Sequence, residues 1–137
     1  MKIACLGGGP AGLYFAISMK LRDPSHDVTV IERNRADDTF GWGVVLSDET
    51  LANLHANDPE SADSIKEYFA YWDDIALVHQ GQRLVSSGHG FCGIGRKRLL
   101  LLLQARAAEL GVTLQFETDI EDIDALCAAH DLVVAAD

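Results

Sequence analysis

The sequence predicts an α/β fold built on a parallel sheet, with an antiparallel meander inserted into it. Three observations support this prediction. Short apolar runs that suit buried strands alternate with helical stretches near both ends of the 137-residue chain. A glycine-rich turn separates the first of these strands from the first helix. Between residues 75 and 87 the apolar pattern takes a period of two, which is typical of a hairpin.

The glycine turn follows the apolar run of Ile3 to Leu6 and has the spacing G-x-G-x-x-G. In such a turn, Gly7 allows the tight bend, Gly9 lets the backbone approach a diphosphate, and Gly12 lets helix and strand pack closely. Pro10 suits the first turn of a helix, where its missing N–H would have no partner in any case. The free N–H groups of the helix then point towards a bound anion.

The rest of this first segment completes a Rossmann-like unit. Leu13, Ile17 and Leu21 recur at helical spacing and predict a face packed on the sheet. The run from Asp27 to Glu32 is β-branched and predicts a buried strand. Glu32 follows Gly12 by twenty residues, where a carboxylate can accept hydrogen bonds from ribose hydroxyls. We therefore predict dinucleotide binding; the alternative is a glycine-rich turn without a ligand.

The middle of the chain is less regular. Two glycines flank Trp42 before a short β-branched strand, which indicates either a backbone approached by a ligand or a surface turn before an edge strand. Ser47 is a predicted helix N-cap. Pro59 predicts a second helix start, followed by apolar residues at helical spacing that predict a core face. These apolar residues are Ile65, Tyr68, Phe69 and Trp72.

Two strands, Ile75 to His79 and Arg83 to Ser87, are predicted to form a hairpin joined at residues 80–82. A second glycine concentration, SSGHGFCGIG, follows them. It places His89 between two glycines, but an isolated histidine is more often structural or exposed than catalytic. The other histidines have no metal-ligand spacing.

Arg96, Lys97 and Arg98 open a leucine-rich helix that Gly111 is predicted to end. Three cations at a helix N-terminus oppose the helix dipole, and such a conflict often marks a site. A bound anion resolves it, and we expect Arg96 to make that contact. Residues 112–117 and 131–137 are two further predicted strands of the parallel sheet, with a weak helical patch between them.

Composition limits the classes of function. The formal net charge of −10 argues against a nucleic-acid surface, which needs basic side chains. Three cysteines without a CxxC pair indicate neither a disulfide framework nor a zinc site, so a reduced, cytoplasmic compartment is expected. No stretch has the length of a membrane span, and glycines and a proline interrupt any signal-like N-terminal segment. The length suits one domain, residues 1–137.

Taken in order, four motifs resemble the single-component flavoprotein aromatic hydroxylases, the family with the p-hydroxybenzoate hydroxylase fold. They are GGGPAGLYFA, the acid of VIER, the R-x-x-L-x-x-x-L pattern that begins at Arg96, and the terminal DLVVAAD. Within that family, FGWGVVLSDETLANL and GHGFCGIGRKRLL are similar to the aryl-CoA hydroxylases that act on salicylyl-CoA and 2-aminobenzoyl-CoA. The resemblance covers essentially the whole chain.

The resemblance implies a cofactor site for FAD and no named catalytic acid or base. The ADP half of FAD would be bound by the glycine turn, by Glu32 at the ribose and by Arg33 on the adenine side. Backbone near the flavin, Arg96 and the start of a DG motif at Asp137 would complete the site. The residues implied for the turn are Gly7, Gly9, Pro10, Ala11 and Gly12, and those near the flavin are Gly43, Val44 and Val45.

The activity that the resemblance implies is hydroxylation of an aromatic substrate, with an aryl-CoA thioester as one candidate. In that family, NAD(P)H reduces FAD, oxygen forms a flavin C4a-hydroperoxide, and the aromatic ring attacks its distal oxygen. The resemblance implies that the cofactor would carry this chemistry here while the protein orients the reactants. The second half of the flavin site, which follows in the family, lies beyond Asp137. We therefore expect a partial domain that binds the ADP half of FAD and does not hydroxylate alone.

Two other classes remain open at the level of sequence. One is a nicotinamide-dependent dehydrogenase domain, which the inserted meander disfavours. The other is a non-enzymatic dinucleotide-binding module, which only the shortness of the chain supports. Oligomeric state is not predicted by any of these patterns.

Overall fold

A computed structural model describes residues 1–136 of the chain, which form two compact units. The first unit consists of Met1–Phe40 and the stretch from Lys97 onward, and the second consists of Gly41–Arg96. Within the described residues the elements, in chain order, are β1 (Lys2–Leu6), α1 (Pro10–Arg22), β2 (Asp27–Ile31), β3 (Gly43–Ser47), α2 (Asp48–Asn57), α3 (Pro59–Lys66), β4 (Ala70–Trp72), β5 (Ile75–His79), β6 (Gln82–Ser86), β7 (Phe91–Gly95), α4 (Arg96–Glu109), β8 (Thr113–Gln115), α5 (Ile123–Ala129) and β9 (Leu132–Ala135).

The first unit is built on a four-stranded sheet in the order β8-β2-β1-β9, with all neighbouring strands parallel. Its two central strands are buried, as their β-branched and apolar composition predicts. From β1 the chain passes to β2 on one side, while β9 pairs with β1 on the other. In open parallel sheets, ligands bind at the carboxyl ends of the strands, at the point where the chain connections run to opposite sides of one strand. A ligand site is therefore expected at the carboxyl end of β1.

Helix α1 begins at the predicted residue, with Pro10 in its first turn and Gly9 as N-cap. Leu13 and Ile17 are fully buried, but Leu21 near the end of the helix is 37% exposed, so the predicted stripe is one residue too long. Helix α4 buries Leu99, Leu100 and Leu103 and ends before Gly111, whose φ of 82° suits a glycine. These contacts give the first unit its core.

The second unit contains two separate antiparallel sheets. Strand β7 lies between β3 and β4 in a three-stranded sheet, and β5 pairs with β6 as a hairpin. The hairpin loop is Gln80 and Gly81, both with positive φ, as a type I′ turn requires. It is one residue shorter than the predicted loop. The predicted antiparallel insertion into an α/β chain is thus confirmed. The three-stranded sheet of this insertion also contains β7, which lies inside the second glycine-rich stretch and was not predicted as a strand.

One predicted helix is wrong in its second half. The spacing of Ile65, Tyr68, Phe69 and Trp72 predicts a continuous core face, yet α3 ends at Lys66. Ile65 is buried, but Tyr68 is 46% exposed and Trp72 lies on strand β4. Pairing of β4 with β7 overrides the helical pattern, because backbone hydrogen bonds to a neighbouring strand are decided by tertiary contacts.

Among residues 1–136, no helix has both the length and the apolar character that crossing a membrane would require.

We expect Gly12→Ala to lower the free energy of unfolding by about 1–3 kcal/mol, because a Cβ there would overlap the carbonyl oxygen of Gly7. Gly9→Ala is the matched control, since a Cβ at Gly9 meets nothing within 4 Å. It should cost only about 0.5–1 kcal/mol, because alanine is a poorer N-cap than glycine but meets no steric overlap at this position. Urea unfolding followed by circular dichroism measures both; equal losses would contradict the close helix-to-strand contact.

Candidate functional site

The glycine turn lies at the carboxyl end of β1 and is held against β2. The N–H of Gly7 donates to the carbonyl oxygen of Ile31 at 2.8 Å, and Gly7 has a φ of 108° that favours glycine. Gly12 is buried over this turn, in contact with the Gly7 carbonyl and with the Cys5 side chain. The helix therefore begins directly above the end of the strand.

The N-terminus of α1 offers donors without a side-chain acceptor. Its N-cap, Gly9, makes no side-chain cap hydrogen bond, and the first turn contains no acidic residue. The first N–H groups of any α-helix lack partners within the helix, and they carry its positive end. Because Ala11 is exposed and the space around Gly9 is open, an anion can approach these groups.

Glu32 follows β2 and its carboxylate lies against the glycine turn. One oxygen, Oε2, accepts from the N–H of Gly8 at 2.7 Å. The other, Oε1, accepts from the backbone N–H of Asn34 at 2.8 Å and from its side-chain Nδ2 at 2.7 Å. The acid that the sequence assigns to the ribose and the turn that it assigns to the diphosphate are thus neighbours.

The pKa of the Glu32 carboxyl lies below its ordinary value. Partial burial raises this pKa. The hydrogen bonds from Asn34 and Gly8 and the charge of Arg33 lower it, and together they outweigh the effect of burial. Glu32 is therefore ionised at neutral pH and acts as an acceptor only. That is the state in which it can bind hydroxyl groups.

Gly8 is a site residue that the sequence analysis did not select. It is not one of the three glycines of the motif, yet its N–H binds Glu32. A Cβ at Gly8 would lie 2.9 Å from the Cβ of Glu32, which is too close for real atoms. The available signal was the run of three glycines, in which Gly8 occupies the variable position between Gly7 and Gly9.

The remaining sequence-predicted residues fall into both units. Arg33 is exposed, next to Glu32 in the first unit. Gly43, Val44 and Val45 form the start of β3 in the second unit, where Gly43 pairs with Gly95. Asp137 lies outside the described residues.

Arg96 ends the second unit and is the first residue of α4. Its backbone N–H donates to the carbonyl oxygen of Trp42 at 3.1 Å, and its Cδ packs beside Gly41. Within the described chain, its Nε is buried without a hydrogen-bond partner. A buried guanidinium N–H without an acceptor is costly, so this atom is suited to an acceptor on a ligand. By contrast, Lys97 forms an exposed ion pair with Asp37 at 3.6 Å.

His89 is held by its own loop. Its Nε2 is 2.7 Å from the hydroxyl of Ser86, and its ring stacks on Phe91 at a centroid distance of 5.4 Å. These contacts account for its position without a catalytic role. Across residues 1–136, no group of His, Cys, Asp or Glu side chains is arranged to hold a metal ion.

A parallel sheet, a glycine turn at the end of its central strand and an acid at the end of the next strand are typical of the α/β folds that bind dinucleotides. No family model matches the chain. Over all 137 residues it is 44% identical to salicyloyl-CoA 5-hydroxylase of Streptomyces sp. It is 32% identical, again over 137 residues, to 3-hydroxy-4-methyl-anthranilyl-[aryl-carrier protein] 5-monooxygenase of Streptosporangium sibiricum. It spans only 26% and 38% of the lengths of these two relatives.

A solved structure, that of CtdE in complex with FAD and a substrate, shares the fold with a TM-score of 0.72 at 16% identity. The match covers 89% of this chain and 31% of that one. The resemblance to aromatic hydroxylases and the α/β fold with an antiparallel insertion are therefore confirmed.

We expect Glu32→Gln to remove a pH-dependent part of the stability. Because folding lowers the pKa of Glu32, its contribution is present above the unfolded pKa of about 4.3 and is lost as pH falls through the folded value. At pH 7 the variant should unfold more easily by about 1 kcal/mol, the usual value of a hydrogen bond in stability.

The measurement is urea unfolding between pH 3 and pH 7, and the difference between wild type and variant should shrink towards the acid end. Glu121→Gln, which changes an exposed carboxylate in the loop before α5, is the control and should leave the curve unchanged. A difference that does not depend on pH would contradict the assignment.

Proposed function

We propose that this chain is the FAD-binding portion of an NAD(P)H-dependent flavin monooxygenase that hydroxylates an aromatic acyl thioester. The likeness over the whole chain to two monooxygenases supports the class of reaction. Their names specify a CoA thioester and an aryl-carrier protein, so both act on an aromatic acid attached to a carrier. NAD(P)H is the proposed reductant and molecular oxygen the co-substrate.

The observation that carries this proposal is the position of Glu32 beside the glycine turn. A ribose-binding carboxylate and a diphosphate-binding helix N-terminus must be close together to bind one ADP group. Here the Oε2 atom of Glu32 is 2.7 Å from the N–H of Gly8, in the turn that precedes α1. Geometry and charge therefore fit the ADP half of a dinucleotide.

Further contacts to FAD beyond its ribose are part of this proposal, in each unit by itself. The uncapped first turn of α1, with Gly9, Pro10, Ala11 and Gly12, would bind the diphosphate through backbone N–H groups. In the second unit, the buried Nε of Arg96 would donate to an acceptor on the cofactor. The backbone at Gly43, Val44 and Val45 would approach its flavin end, because the facing residues Gly43 and Gly95 have no side chains at the start of β3.

FAD, when bound, supplies the redox and oxygen chemistry that no side chain provides. What the protein contributes is binding and orientation. As an ionised carboxylate, Glu32 would accept a hydrogen bond from a ribose hydroxyl, and the helix N-terminus would compensate the charge of the phosphates. No acid or base among the described residues is assigned to the hydroxylation itself.

The test is calorimetric titration of the 137-residue chain with FAD, ADP and NADH. We expect FAD and ADP to bind and NADH to bind more weakly. Gly9→Ala, which leaves the fold intact, should weaken both FAD and ADP by about tenfold or more, equal to about 1.4 kcal/mol, because its methyl group fills the open space of the turn.

Two results would overturn the proposal. Tight binding of NADH with no binding of FAD would favour a dehydrogenase domain. Unchanged affinity for ADP in Gly9→Ala would contradict binding of the diphosphate at the glycine turn.

A further inference from the structure

The carboxylate of Glu32 is surrounded by donors from its own chain. Oε1 accepts two hydrogen bonds, both from Asn34, and Oε2 accepts one, from the N–H of Gly8. All three distances lie between 2.7 and 2.8 Å, in the range of strong hydrogen bonds to a charged acceptor. The side-chain amide of Asn34 is the only one of these donors that a substitution can remove.

Counting lone pairs shows how much of this carboxylate is open to a ligand. An ionised carboxylate has about four acceptor sites, two on each oxygen. Asn34 fills both sites of Oε1, and Gly8 fills one of the two on Oε2. Among residues 1–136, therefore, one acceptor site, on Oε2, is left for a hydroxyl group.

The backbone fixes this arrangement from both sides. The N–H of Glu32 donates to the carbonyl of Gln115 at 2.8 Å, and the N–H of Thr118 donates to the carbonyl of Glu32 at 3.0 Å. The carbonyl of Asn34 accepts from the N–H of Glu117 at 3.1 Å. The backbone of Asn34 is therefore held beside Glu32 by hydrogen bonds to the segment that follows β8.

We propose that Asn34 is a positioning residue for nucleotide binding: its amide occupies Oε1 of Glu32, so that the ribose is bound through a single hydroxyl at Oε2. The inference rests on the proposed function, because it specifies how the same site binds the adenosine ribose. A carboxylate without this amide would offer a second acceptor and could bind both hydroxyls of the ribose diol. Asn34 thus makes the site select one hydroxyl over the other.

Charge supports the same role. The hydrogen bonds from Asn34 contribute to holding the pKa of Glu32 below its ordinary value, with Arg33 as the neighbouring charge that acts in the same direction. Removing the amide should raise that pKa and move the acid limit of nucleotide binding to higher pH. A residue that only stabilised the fold would leave this limit in place.

The experiment compares ADP with 2′-deoxy-ADP and 3′-deoxy-ADP by calorimetry on the wild-type chain and on Asn34→Ala. In the wild type, one deoxy analogue should bind about tenfold more weakly than ADP and the other within about twofold, since losing one hydrogen bond to a charged group costs about that factor. In Asn34→Ala this difference should largely disappear, because the freed Oε1 site accepts the second hydroxyl.

A second measurement does not need a nucleotide. Carbon-13 NMR titration of the Glu32 carboxyl should give a higher pKa in Asn34→Ala than in the wild type, and a still higher one in Asn34→Asp, which replaces the donor by a charge. Circular dichroism melting of each variant verifies that it is folded.

The outcomes separate the two claims. Failure of the wild type to bind either FAD or ADP overturns the proposed function. Binding of ADP with equal losses for both deoxy analogues, or the same selectivity in Asn34→Ala as in the wild type, overturns the role of Asn34 alone. An unchanged pKa of Glu32 in Asn34→Ala overturns it as well.

Discussion

The contact between Gly12 and the carbonyl of Gly7 constrains everything at the candidate site. Only a residue without a side chain allows α1 to begin directly over the end of β1. With the helix in that place, its unpaired N–H groups face the space above Gly9. The same short connection lets β2 return beside β1, where the N–H of Gly7 binds the carbonyl of Ile31. Glu32, the next residue, is thereby brought to the turn.

This proximity also explains why the Glu32 carboxylate is ionised and oriented in the absence of a ligand. The donors that lower the pKa of Glu32 belong to the chain itself, at Gly8 and Asn34. A carboxylate that is already ionised and oriented loses little freedom on binding, so more of its interaction energy is available for affinity. Phosphate binding by the helix N-terminus and sugar binding by Glu32 are therefore two consequences of one local packing arrangement.

The second unit follows a different principle. Its three-stranded sheet buries Cys92 and Ile94 of β7 on one side, while the glycines of β3 and β7 line the other. The hairpin of β5 and β6 leaves apolar side chains such as Leu77 and Val78 exposed. Isolated two-stranded hairpins are marginally stable in water, so this unit depends on the core formed by its helices and its larger sheet.

The sequence alone determined the elements whose signals are local. The strand, turn, helix and strand of residues 2–31, the N-cap at Ser47 and the end of α4 before Gly111 were all predictable, because backbone φ, capping and apolar spacing are properties of neighbouring residues. Tertiary structure decided the rest. Trp72 lies on a strand because β7 is available to pair with it, and Gly8 meets Glu32 because parallel strands bring residues distant in sequence to one edge of the sheet. Those contacts depend on the whole fold, which no local pattern encodes.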